Sequence, residues 1–163
     1  IIHENFQVLF PFAGAIHPIT KNSWEGTGVQ PHIKVPQEEA LRTAHLKAID
    51  DLVERCTDDQ RKSDLLWDLE IIRSIYNPIL LDEVILNRFT GQYGKRGFTL
   101  EDGKLHYTSP ESSVWELVSM TDTRFRLNED IKFEFILDQT KLATAVVISY
   151  RDDRPAIKIE RSR

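Results

Sequence analysis

The chain has 163 residues, of which 40% are hydrophobic and 29% charged, with a formal net charge of −5. That apolar content supports one packed domain or two small ones, and no apolar run reaches the roughly eighteen residues of a membrane-spanning helix. The single cysteine, Cys56, excludes an internal disulfide framework and a cysteine-built metal site.

The charge is unevenly placed. Residues 1–36 hold two acids and two bases, residues 37–82 eleven acids and six bases, and residues 83–163 thirteen of each. The whole deficit lies in the middle segment, and no segment carries a basic footprint, which argues against nucleic acid and anionic membrane as partners. Ile1 to Phe6 lack the basic and apolar regions of a signal peptide, and the only methionine is Met120, so the chain is expected to start inside a longer product.

Phe6–Phe10 is a short apolar run with aromatic and branched residues, stopped by Pro11 and Gly14, and reads as a strand. From Ala15 to Pro36 three prolines and two glycines mark an ordered loop with fixed turns. Here Ala-Ile-His-Pro-Ile-Thr, Trp-Glu-Gly-Thr-Gly-Val and Gln-Pro-His-Ile-Lys-Val-Pro follow one another, and an Ala-Leu-rich helix comes next. This stretch, roughly Phe6 to Leu52, resembles the closing part of a serine peptidase domain. The family is that of tail-specific (carboxy-terminal processing) proteases, tricorn core proteases and interphotoreceptor retinoid-binding protein. One position departs from its pattern, with His32 where the family usually has Asp after the proline.

The resemblance implies that the nucleophilic serine, its oxyanion donors and its base lie upstream of this segment. Ser23, the serine nearest the motif, sits in a Lys-Asn-Ser loop without the Gly-flanked elbow that exposes a nucleophile. Glu25 has two readings. It caps the local turn or pairs with a cation, or, as the resemblance implies for the intact parent, it orients the catalytic base in the manner of a third triad member. Trp24 beside it reads as a packing anchor.

Pro36 starts a helix whose apolar residues recur at Leu41, Ala44, Ala48, Ile49, Leu52, Val53 and Cys56. Thr57-Asp58-Asp59 supplies capping oxygens for a second helix with Leu65, Leu66, Leu69, Ile72, Ile75 and Tyr76, which ends before Pro78. The pair reads as a helical hairpin whose narrow stripes need a partner. Ile79–Asn87 is an apolar connector of one or two turns.

After the connector the period changes to alternation. Asp102-Gly103 between alternating segments signals a tight hairpin, and further strands are expected at Val114–Ser119, Arg124–Leu127, Ile131–Leu137, Leu142–Tyr150 and Ala156–Glu160. Phe98, Leu100, Leu105, Tyr107, Phe125, Leu127, Phe133 and Phe135 are the expected interior. Arg88, Arg96, Arg124 and Arg126 are candidates for an anion pocket, although alternation puts Arg124 and Arg126 on the outer, solvated face. His106 has no second histidine or cysteine near it in sequence, so no metal site and no cofactor are expected. The opening of this region also resembles small β tail domains appended to bacterial serine hydrolases.

The expected fold is α+β: the end of an α/β peptidase core (1–36), a helical hairpin and connector (37–87), and an antiparallel small β-barrel or sandwich of about seven or eight strands (88–163). The expected function is that of the C-terminal part of a serine peptidase, inactive alone, whose parent acts on a peptide or protein substrate. The family implies a periplasmic or secreted parent. The alternatives are a non-enzymatic module holding a small ligand or peptide in the β domain, and an assembly segment that forms a homo-oligomer through the strand at Phe6–Phe10.

Overall fold

The computed structural model describes residues 9–10, 12–23, 28–152 and 154–162, and the chain divides into two compact units, Ile1–Gln37 and Glu38–Arg163. In the first unit, Ile16 and Ser23 form an antiparallel bridge around a tight turn. The His17 amide donates to the Asn22 carbonyl at 3.0 Å, and the Lys21 amide to the His17 carbonyl at 2.9 Å. Of the strand expected at Phe6–Phe10, Phe6 to Val8 lie outside the described residues, while Leu9 and Phe10 are exposed and belong to no strand.

The second unit begins with α1 (Gln37–Arg55) and α2 (Asp59–Tyr76). Glu38 and Glu39 in the first turn of α1 and Arg55 in its last complement the helix dipole. Asp58 caps α2, its carboxylate accepting from the Arg61 amide at 2.7 Å. The connector contains a short helix, α3 (Glu83–Leu86), capped in the same way by Asp82. No helix among the described residues is long and apolar enough to cross a membrane.

Among the described residues nine strands follow, in two antiparallel sheets. The first sheet has the order β1 (Gly91–Tyr93), β2 (Arg96–Glu101), β3 (Lys104–Thr108), β4 (Val114–Glu116). The second has the order β5 (Val118–Ser119), β6 (Arg124–Arg126), β7 (Ile131–Leu137), β8 (Ala143–Tyr150), β9 (Ile157–Glu160). The β2–β3 hairpin turns at Asp102 and Gly103, both with positive φ (50° and 72°), as a two-residue turn matching strand twist requires.

The sheets are not closed into a barrel, which corrects that alternative. The single strand expected at Val114–Ser119 instead breaks at Leu117, so that β4 ends one sheet and β5 starts the other. Leu117 turns its side chain into the core, and its amide donates to the Leu105 carbonyl at 2.8 Å. Strands of three and two residues make a corner here, too short for a continuous ladder. Beyond β9 only point contacts join the sheets: the Ser162 amide donates to the Gln92 carbonyl at 2.7 Å, and the Arg161 guanidinium to the Thr90 carbonyl at 2.6 Å and the Ala143 carbonyl at 3.2 Å.

One core fills the space between the sheets. Phe98 from the first sheet meets Phe133 and Phe135 of the second with ring centroids 5.6 and 5.0 Å apart, both edge to face. Tyr93, Phe89, Phe125, Leu105, Val146 and Ile148 complete it. Alternation along β7 sends Phe133 and Phe135 inward and Lys132 and Glu134 outward.

The Arg161 clasp fixes the residue allowed opposite it. Gly91 has φ +135°, and a Cβ there would lie 2.8 Å from Arg161 Nε. Gly91→Ala is expected to destabilise the second unit by about 1–3 kcal/mol through backbone strain and displacement of Arg161. Thermal denaturation checks this, and an unchanged midpoint contradicts it.

Candidate functional site

The loop of the first unit is held by its own side chains. The Thr20 amide donates to His17 Nδ1 at 3.0 Å, so in the neutral ring the proton sits on Nε2. Ser23 is in the bridge to Ile16, and the next helix among the described residues starts at Gln37. Glu25 and Trp24 lie outside the described residues.

The second unit concentrates its polar side chains where α2 lies over the outer face of β6 and β7. Trp67, Glu70 and Ser74 fall at i, i+3 and i+7, one face of a helix. Opposite them, alternation projects Arg124 and Arg126 from β6 and Lys132 from β7. Glu70 binds two cations, with Oε2 2.8 Å from Lys132 Nζ and Oε1 3.0 Å from Arg124 Nη1. Lys132 Nζ also donates to the Trp67 carbonyl at 3.3 Å and sits 3.7 Å from the centroid of the Trp67 ring. Arg126 Nε donates to Ser74 Oγ at 2.8 Å, and that hydroxyl donates to the Ile71 carbonyl at 2.7 Å. At the edges of the patch, Trp67 Nε1 donates to the Glu129 carbonyl at 2.7 Å, and Arg151 pairs with Asp68 at 2.8 Å.

Burial gives this cluster its electrostatic character. The side chain of Lys132 is only 10% exposed, whereas that of Glu70 is 40% exposed. Burial lowers the Lys132 pKa more than the attraction of Glu70 raises it, and Arg124 nearby adds a smaller repulsion. Burial would raise Glu70, but contacts with Lys132 and then Arg124 outweigh it and hold the carboxyl below its ordinary value. Both partners thus move downward: Lys132 because burial outweighs the attraction of Glu70, and Glu70 because Lys132 and Arg124 together outweigh its burial.

A cavity of about 340 Å³ opens beside this cluster, lined by Glu70, Arg73, Ser74, Asn77, Ile79, Met120, Thr121 and Arg124. Of the four arginines named from sequence, only Arg124 lines it. Arg126 is engaged with Ser74, and Arg96 Nε is buried without a hydrogen-bond partner. The outer face of β6 is therefore covered by a helix and not merely solvated. Arg73, which also pairs with Asp50 of α1 at 3.1 Å, was not legible as a site residue; its only signal is its place three residues after Glu70.

Burial raises Tyr93 to about 12, and its hydroxyl donates to the Phe89 carbonyl at 3.0 Å. Burial also raises Tyr107, against the pull of the nearby Arg96 guanidinium. His106 Nδ1 is buried without a hydrogen-bond partner, and among the described residues no group of three or more histidine, cysteine or acidic side chains is arranged to hold a metal. The chain matches no family model, no curated protein and no solved structure.

The cluster predicts an asymmetry between its members. Glu70→Ala strips the carboxylate from a buried ammonium and is expected to cost about 1–2 kcal/mol, below the range for a fully buried pair because Glu70 is part-exposed. Lys132→Met keeps the stem on Trp67, leaves Glu70 open to water, and is expected to cost less. Because the Glu70 pKa is depressed on folding, its contribution is complete above its ordinary value and is lost as pH falls through the lowered one. Denaturant titrations of both variants from about pH 7 downward check the order, with the wild type converging on Glu70→Ala as pH falls through the lowered Glu70 pKa. Equal losses for the two variants, independent of pH, contradict the assignment.

Proposed function

We propose that the chain is the C-terminal portion of a serine peptidase of the tail-specific type, that it lacks the nucleophile, and that alone it does not hydrolyse peptides. The observation carrying this reading is the order and spacing of the motifs between Ala15 and Pro36, followed directly by a helix with alanines and leucines on one stripe. Ser23 sits in a Lys-Asn-Ser loop without a Gly-flanked elbow, which supports a nucleophile supplied from elsewhere. Acyl transfer needs nucleophile, base and oxyanion donors within hydrogen-bond reach of one carbonyl. Glu25 is assigned a supporting part in the parent, orienting the base.

In this reading the second unit is an accessory body with a structural, substrate-presenting or assembly role. Its interior is occupied by its own rings, so a ligand held between the sheets is the less favoured alternative. A binding role draws its support from the cavity beside Arg73 and Arg124, whose apolar Ile79 and Met120 and polar rim suit a short peptide or small organic anion.

An assay of the purified chain on a mixed fluorogenic peptide library is expected to give no turnover above buffer, with Ser23→Ala indistinguishable. Turnover abolished by Ser23→Ala would overturn the proposal.

A further inference from the structure

Helix α1 leaves more than half of its apolar residues uncovered. At about 100° of rotation per residue, its apolar positions divide into two stripes. Ile49 is buried and Leu46 and Val53 are half-buried, so the first stripe packs within the second unit. Leu41, Ala44, Ala48 and Leu52 form the other. They are exposed, with Leu41 at 75% and Leu52 at 53%.

We infer that this second stripe pairs with the same stripe of a second copy of the chain, antiparallel, about a two-fold axis level with Leu46 and Lys47. The stripe is self-complementary in that register. Leu41 falls opposite the partner's Leu52 at both ends, and the two alanines at the centre allow the backbones to approach closely. The same register brings Glu38 within reach of the partner's Arg55, twice by symmetry, whereas a parallel alignment would set Glu38 beside the partner's Glu38. Charge and apolar pattern therefore select one orientation. A single helix pair buries less than the roughly 1,200 Å² of a stable interface, so the dimer is a weak one. The pairing does not depend on the peptidase reading.

Sedimentation equilibrium of the full chain from about 10 µM to 1 mM tests this, with far-UV circular dichroism confirming the fold of each variant. The wild type is expected to be a monomer–dimer mixture, and Leu41→Asp/Leu52→Asp a monomer throughout. Glu38→Arg or Arg55→Glu alone is expected to weaken association about fivefold, and the double exchange to restore it. Crosslinking reads the register directly in a Cys56→Ser background. Antiparallel pairing at an interaxial distance of about 8 Å puts the two Ala48 Cα atoms about 6 Å apart, within disulfide range, and the two Ala44 Cα atoms about 9 Å apart, outside it. Ala48→Cys is thus expected to form a covalent dimer on oxidation and Ala44→Cys is not. A chain monomeric at 1 mM overturns the inference and leaves the stripe to another domain. A dimer indifferent to the leucine substitutions, or equal crosslinking at both positions, overturns it as well.

Discussion

The position of the helical hairpin depends on one lysine. Lys132 stands on the outer side of β7 because alternation sends its neighbours Ile131 and Phe133 the other way, yet it is among the most buried charged residues described. An ammonium at that depth is tolerated because its stem lies on the Trp67 ring and its head reaches Glu70 and a helix carbonyl. Such a contact adds little net stability, since desolvation offsets most of the attraction. What it supplies is position. Trp67, Glu70 and Ser74 meet Lys132, Arg124 and Arg126 in a single arrangement of α2 on the sheet, which an apolar face would not specify so narrowly.

Beneath that polar layer the sandwich is filled from both sides. Phe98 touches rings from β7, and the corner at Leu117 and the Arg161 clasp fix the two lateral openings without closing a barrel. The cavity between α2 and the β5–β6 turn lies on the outside of this unit, away from that core. The motif-bearing loop belongs to the other unit. The proposed peptidase parentage rests on that loop, and the second unit is understood as a folded body attached to it.

Much of the β region was legible because its signals are local. Asp102-Gly103 requires positive φ at both positions, and Ile131 to Leu137 alternates over its whole length, so turn, strand and inward rings were read correctly. The break at Leu117 was not. Val114 to Ser119 is an uninterrupted strand-like run, and only the competition of two sheets for Leu117 divides it. Likewise Phe89 and Tyr93 are fully buried although they precede the clear alternation, because α3 and the short β1 deliver them into a core built by later strands. The stripe on α1 was seen as one face, but α2 covers only its Ile49 side. The cluster at Lys132 escaped because its halves lie some sixty residues apart, and neither the i, i+3, i+7 set on α2 nor the cations on β6 and β7 is distinctive alone. Glu25, the one residue assigned a supporting catalytic part, falls outside the described residues, so that assignment still rests on its sequence neighbours.

The central claim is that the helices and the sandwich are one body joined by the Lys132 cluster. Amide hydrogen exchange, followed by mass spectrometry on the wild type and on Glu70→Ala, tests it most directly. The account predicts that α2 is protected in the wild type, and that in Glu70→Ala its amides exchange about tenfold faster and stay less protected than those of β7 and β8, which lose no more than the roughly 1–2 kcal/mol of the variant's overall destabilisation. Unchanged α2 exchange in the variant would contradict it.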